Sequence, residues 1–303
     1  MTKRFTAIGE CMVEMSPSGL GEFSMGFAGD TFNTAWYLRK LAGSSLEVAY
    51  LSAIGDDAPS VAMETLMRDA GIVPELTVRP GGHVGLYMIS LKNGERSFSY
   101  WRDSSAARTL ADDLEKVPAL KADDVVFFSG ISLAILPEEG RLKLLQVLKD
   151  ARSNGAKIVF DPNLRPRLWA SDTDMCDWVT KGAAVSDVAL PSYEDEATFF
   201  NDADQTATGN RYLAEGCELV IVKDGPDPVL VMHADKTEGV SPEVVSEIVD
   251  TTAAGDAFNA GFLAGLNAGL CTSESVSVGC RLSAQVIGKR GALVEIDTAG
   301  LGI

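Results

Sequence analysis

Short runs of consecutive apolar residues alternate along the chain with longer stretches whose apolar positions recur every three to four residues. The runs TAIG, VAYLSAIG, DVVFFSG, KIVFD, VALP, LVIVKDG and VLVM are bounded by turn residues, as strands buried on both faces would be. Between several of them, residues 33–41, 60–70, 138–153 and 208–215 carry the helical period. This alternation predicts an α/β fold, with a mostly parallel central sheet and helices on both faces. Ligands in such sheets sit beyond the carboxyl ends of the strands.

Two regions break the alternation. Residues 11–27 and 72–102 hold short alternating segments, among them GLYMISL and RSFSYW, separated by Gly, Pro and an NGE turn. They read as antiparallel hairpins and predict a small β-sheet lid. No repeat, low-complexity tract or flexible linker interrupts the rest, so 1–303 is expected to be one domain carrying that lid.

Composition narrows the function. The chain has 303 residues, 46% hydrophobic and 23% charged, an ordinary globular balance with no run near the roughly 18 apolar residues of a membrane helix. The first residues enter a strand-like segment directly, without the pattern of a secretory signal. Five cysteines without a CxxC pair predict reduced thiols and a cytoplasmic protein. Two histidines make a His-rich metal centre a poor expectation. The net charge of -17 opposes nucleic acid and acidic membranes. Any anionic ligand must therefore be drawn in by local basic residues.

One stretch carries chemistry. In DTTAAGDAFNAGF (250–262), Phe258, Phe262 and then Leu266 recur at helical spacing, so a helix starts near Gly255. The small residues Ala253, Ala254 and Gly255 leave the free N–H groups of that helix start uncovered, an anion site favoured by the helix dipole. Plain capping does not explain a glycine in the first turn, which costs helix propensity. Asp256 then lies beside the anion, where the dipole is expected to keep it ionised and weakly basic. No GxxxxGK[ST] phosphate loop exists, and GLGEFS matches a dinucleotide fingerprint only in its first letters. FDPNLRPRLW brings Asn163, Arg165 and Arg167 to the end of a strand, and NGERSFSYWRDSS brings Tyr100 and Arg102 to the end of a lid strand. Converging guanidiniums suit a carboxylate, which arginine binds with two parallel hydrogen bonds.

DTTAAGDAFNAGF resembles the DTxGAGD signature of the ribokinase-like (PfkB) sugar kinases, with Ala253 where most members have Gly. That form is most similar to the 2-keto-3-deoxygluconate kinases of the family. FAGDTFNTAWYLRKLAG (27–43) resembles the family's GGxxxN signature, with Ala28 replacing the first glycine. Gly29 would let a sugar approach the backbone, while Asp30 and Asn33 offer hydroxyl partners. The resemblance covers essentially the whole chain and implies a ribokinase-like fold. It implies ATP and Mg²⁺ as cofactors, with Asp256 as the base for a substrate hydroxyl and the N–H groups around Ala253, Ala254 and Gly255 holding the transferring phosphate. VKDGPDPVLV (222–231) resembles the strand and turn along the nucleotide, which implies nucleotide roles for Lys223 and Gly225, with Asn163 and Gly255 nearby. PSYEDEA takes the place of the NxxE motif that positions Mg²⁺ through water, and leaves Glu194 and Asp195 both open. Tyr87, Tyr100, Arg102 and Arg165 match positions that line the sugar-acid pocket, the arginines meeting the carboxylate. The implied reaction is ATP-dependent phosphorylation of 2-keto-3-deoxygluconate. A fructokinase or a kinase of a related keto acid is the alternative, and a homodimer paired through lid edges, or a higher homo-oligomer, is the expected assembly.

Overall fold

The computed structural model describes residues 2–19, 21–92, 95–243, 245 and 247–303. The Asn93-Gly94 turn anticipated in the lid lies outside them. The chain opens with β1 (Lys3–Ile8), β2 (Met12–Gly19), β3 (Glu22–Ala28) and α1 (Asp30–Ala42). Then come β4 (Leu46–Ile54), α2 (Ala58–Asp69), β5 (Val73–Val78), β6 (Leu86–Lys92) and β7 (Glu95–Trp101). The middle holds β8 (Val125–Ser129), α3 (Gly130–Ala134), α4 (Glu138–Ser153), β9 (Lys157–Asp161), α5 (Asp172–Ala184) and β10 (Val188–Ala189). It ends with α6 (Tyr193–Phe200), α7 (Gln205–Ala214), β11 (Leu219–Val222), β12 (Val229–Met232), β13 (Thr237–Val240), α8 (Ala254–Asn267) and α9 (Thr272–Ile287).

Among the described residues the strands make two sheets. The larger has nine strands in the order β13-β12-β11-β10-β9-β8-β1-β4-β5. It is parallel from β11 to β5, with β12 and β13 antiparallel at one edge. Each apolar run of the sequence falls on one of its strands. Successive side chains of a strand point to opposite faces, so β9 sends Ile158 and Phe160 to a core with Leu144, Leu148 and Trp178. Val159 goes to the other core, with Phe32, Phe258 and Phe262. Phe128 and Phe160 stack at 4.6 Å between centroids.

The smaller sheet has the order β3-β2-β6-β7, its two hairpins joined by a parallel β2–β6 pair. One expected part is missing from it. Val73–Val78, read as lid, instead pairs in parallel with β4 at the edge of the large sheet. An edge strand alternates as a lid strand does, and Pro74 is tolerated there because an edge leaves one side unpaired.

Helices α5, α6 and α9 were not anticipated from periodicity. Helix α8 packs closely on α9, and small residues permit it. A Cβ on Gly261 would lie 2.8 Å from the Cα of Gly279, too near for any larger residue.

Candidate active site

The starts of α1 and α8 meet at the carboxyl end of the sheet. Helix α1 begins at Asp30 after Gly29, whose φ of 177° is ordinary extended backbone. Glycine is needed there for space: a Cβ would sit 2.1 Å from the carbonyl oxygen of Glu10. The sequence assigns Gly29 to sugar approach, whereas the atom that demands glycine is this carbonyl. Gly29 N–H donates to Asn33 Oδ1 at 3.3 Å, and Asn33 Nδ2 donates to Asp256 Oδ2 at 2.8 Å. Asn163, with φ 37°, donates from Nδ2 to Asp30 Oδ2 at 2.8 Å. This ties Asn163 to Asp30. Asp30, Asn33, Asn163 and Asp256 thus form one connected group.

Helix α8 is entered through Ala253 in the left-handed region, φ 60° and ψ 16°, with no side-chain cap. For a residue with a Cβ this conformation costs about 1–2 kcal/mol. The N–H of Ala254 is taken by Thr251 O at 3.2 Å. The N–H groups of Gly255 and Asp256 have no acceptor among the described residues, so these two are the donors open to an anion, one position later than the sequence suggested. Among the described residues, only the Lys223 ammonium comes within 4 Å of the point a Cβ on Gly255 would occupy, at 3.7 Å.

Lys223 is buried and donates to Asp161 Oδ2 at 3.2 Å and Asn259 Oδ1 at 3.3 Å, while Asn259 Nδ2 donates to the same Asp161 oxygen at 2.6 Å. Asp161 and Asn259 were not singled out from sequence. The sign of Asp161 was its place at the last residue of a buried strand; Asn259 lies on the helical face of α8 next to the motif. Gly225 sits in an exposed turn at φ 52°, with no atom within 4 Å of its Cβ direction.

The electrostatics of Asp256 depart from expectation. Its carboxyl is part-buried and is pushed up from 3.8 to about 7. Burial is the largest cause and the Asp30 carboxylate the next; Asp161 adds to the rise, while the Asn33 hydrogen bond and Lys223 oppose it. The ionised, weakly basic carboxylate anticipated from the dipole is therefore replaced by one that titrates near neutrality.

Arg165 is half exposed, with Nη1 on its neighbour's carbonyl, Leu164 O, at 2.6 Å and 3.8 Å from Asp195 Oδ2. Burial raises the Asp195 pKa, against the pull of Arg165. Ser192 precedes α6 without a side-chain cap bond, and Glu194 is exposed. Among the described residues, no three His, Cys, Asp or Glu side chains gather as a metal site.

The small sheet supplies Tyr87, buried and donating to Glu14, and Tyr100, which is half exposed and 5.9 Å from the Tyr87 ring. Arg102 follows β7. Its Nε donates to Glu10 Oε2 at 2.8 Å, its Nη2 donates to the same oxygen, and Ser105 donates to Glu10 Oε1. Both Glu10 and Arg102 are buried. Two of the five guanidinium N–H groups are thus engaged, and both on Nη1 with the second on Nη2 remain for a ligand. Glu10 was missed because it stands between two strands with no motif around it.

A carboxylate that titrates near pH 7, set beside unpaired helix-start N–H groups at the carboxyl edge of a parallel sheet, defines a phosphotransferase that acts on a hydroxyl. The chain belongs to the pfkB family of carbohydrate kinases, whose family profile matches residues 3–299. It is 36% identical to the 2-dehydro-3-deoxygluconokinase of Haemophilus influenzae, over 97% of this chain and 96% of that protein. It is 30% identical to the fructokinase of Vibrio alginolyticus, over 86% of this chain and 82% of that one. The fold matches the aminoimidazole riboside kinase of Salmonella enterica, solved with aminoimidazole riboside and an ATP analogue. That match has a TM-score of 0.86 at 21% identity and covers 99% of this chain and 98% of the other.

Proposed function

We propose that the protein phosphorylates 2-keto-3-deoxygluconate (2-dehydro-3-deoxygluconate) on its terminal hydroxyl with ATP, giving the 6-phosphate and ADP. The observation that carries this reading is Asp256, held by Asn33 beside the free N–H groups of Gly255 and Asp256. The terminal hydroxyl oxygen attacks the γ-phosphorus, the bond to the β,γ-bridging oxygen breaks, and the hydroxyl proton passes to Asp256. The N–H donors face the charge on the transferred group, and phosphoryl transfer depends chiefly on such neutralisation and on positioning. Asp30 and Asn33 are suited to the sugar hydroxyls. The free end of Arg102, the exposed fork of Arg165 and the Tyr87–Tyr100 pair are suited to an acid lying under the small sheet, which acts as the lid. The likeness to the Haemophilus influenzae enzyme supports the acid over fructose.

Magnesium held by nucleotide phosphates needs only one or two protein carboxylates, often through water. That fits a site without a three-ligand cage. Asp195, part-buried beside Arg165, is the carboxylate suited to it, and Glu194 is the weaker candidate. The ion would supply charge neutralisation on the phosphates.

The five free thiols agree with a cytoplasmic protein, and the exposed Phe23, Met25, Tyr100 and Trp101 of the small sheet with a homodimer. No helix among the described residues is long and apolar enough to cross a membrane. The test is ADP production with fructose, ribose, gluconate and the 2-keto-3-deoxy acids of the gluconate and galactonate series. Preference for fructose would overturn the sugar-acid assignment.

A further inference from the structure

The Lys223 ammonium is held from one side only. It carries three N–H donors. Two go to Asp161 and Asn259, and the third has no acceptor among the described residues. Asn259 also donates to Asp161, so the three side chains close a buried ring of hydrogen bonds with the ammonium at its open edge. That edge faces the space over Gly255, where the unpaired N–H groups of Gly255 and Asp256 begin α8. A cation and two N–H donors therefore border one small volume. Asp161 and Asn259 lie on β9 and α8, which also share a core through Val159, Phe258 and Phe262, so the two partners of the ammonium are held by packed elements.

We propose that Asp161 and Asn259 are positioning residues, which aim the remaining N–H of Lys223 at the terminal phosphoryl group of the nucleotide. The inference rests on the ATP-dependent reading above. It gives Lys223 the γ-phosphate, which distinguishes ATP from ADP, rather than the ribose or the α- and β-phosphates that both share. Lys223 would touch the ligand; Asp161 and Asn259 would not.

The experiment is calorimetric titration of the full-length protein with ADP and with a non-hydrolysable ATP analogue, each with magnesium and without sugar acid. A lost charge-assisted hydrogen bond weakens binding about 10- to 150-fold. Lys223→Met should weaken the ATP analogue by that factor and ADP by less than about threefold. Asn259→Ala should do the same more mildly, with kcat reduced and the KM for sugar acid unchanged. Asp161→Asn is the second variant, which keeps an acceptor for the Asn163 N–H and so the loop after β9. Thermal melts identify any variant that fails to fold, and the other variants then decide. Equal weakening of both nucleotides, or of neither, would overturn the assignment. If the wild type binds the nucleotides but does not phosphorylate the sugar acid, the substrate reading fails and this one stands. If it binds neither nucleotide, both fail.

Discussion

Replacing Asp256 by Asn should make the enzyme nearly inactive and more stable at the same time. The carboxyl is pushed up from 3.8 to about 7, roughly three pH units, chiefly by burial and by Asp30. Each pH unit is about 1.4 kcal/mol, so the ionised group costs the fold on the order of 4 kcal/mol as a ceiling. The sign follows from proton counting. Between about pH 4 and pH 7 the folded protein holds the Asp256 proton and the unfolded chain has lost it, so stability falls as pH rises through that window. The amide in Asp256→Asn carries no charge and keeps an oxygen for the Asn33 N–H, so the slope from this group vanishes in the variant. Denaturant melts should show the variant gaining a few kcal/mol over wild type at pH 8 and almost nothing at pH 4. Turnover should fall at least ~10²-fold, the scale of a lost general base. Nucleotide affinity should hold or improve, since a negative charge beside the phosphates is gone. Wild-type kcat should rise with pH through an acid limb near 7. A variant that is less stable at pH 8, or whose gain does not change with pH, would refute the buried-charge account. Near-normal turnover would remove Asp256 from the base role.

The other predictions follow from space, strain and pairing. Gly255→Val should abolish turnover in a protein that still folds by circular dichroism, because its side chain would fill space where, among the described residues, only Lys223 comes near, at 3.7 Å; undiminished activity would place the anion elsewhere. Ala253→Gly should relieve left-handed strain of about 1–2 kcal/mol, partly offset by the roughly 0.4–1 kcal/mol of extra unfolded-chain entropy. A melting temperature lowered by that change would contradict the φ of 60°. Arg165→Ala should cut kcat/KM for the sugar acid roughly 10- to 150-fold, with little effect on stability or on any neutral sugar. Arg102→Ala leaves Glu10 buried and unpaired, which costs about 3–5 kcal/mol. Its melt should therefore fall sharply while that of Arg165→Ala does not, and equal melts would refute the Glu10 pairing.

The large sheet was legible because a strand buried on both faces has little choice but to be apolar throughout, as KIVFD is over β9. Helix α9 was not: the buried positions of TSESVSVGCRLSAQVI mix Ser275, Gly279 and Cys280 with Val276, Val278, Leu282 and Val286, and most of these are poor helix formers that do not announce a helix. Val73–Val78 was misplaced because alternation reports one covered face and not which sheet covers it. The site divides in the same way. Residues fixed by backbone rules, such as the small run before Asp256, could be found in the chain. Residues fixed by a partner far away, such as Glu10 under Arg102, have no local pattern, and Asp161 under Lys223 had only its place at the end of a buried strand. Arg102 itself was found, but a sequence does not show that two of its donors are already engaged by Glu10.

The reversal at Asp256 follows from magnitudes. A first-turn carboxylate gains about 0.3–1 kcal/mol from the helix dipole, which lowers its pKa by less than about one. Full burial of a carboxyl moves its pKa further and in the opposite direction, and a neighbouring carboxylate adds to that. Once the structure takes most of Asp256 out of water and sets Asp30 beside it, the dipole loses. The consequence is chemical. A carboxylate left at its ordinary pKa is a poor acceptor for a hydroxyl proton, whereas a base titrating near the working pH combines useful basicity with a sizeable ionised fraction. The same burial therefore destabilises the fold, strengthens the base and sets the acid limb. Asp30→Asn separates these causes: it removes the second-largest contribution and leaves burial, so the acid limb should move to lower pH while Asp256 remains mostly out of water. A limb that does not move would show that Asp30 is not part of the field that Asp256 feels.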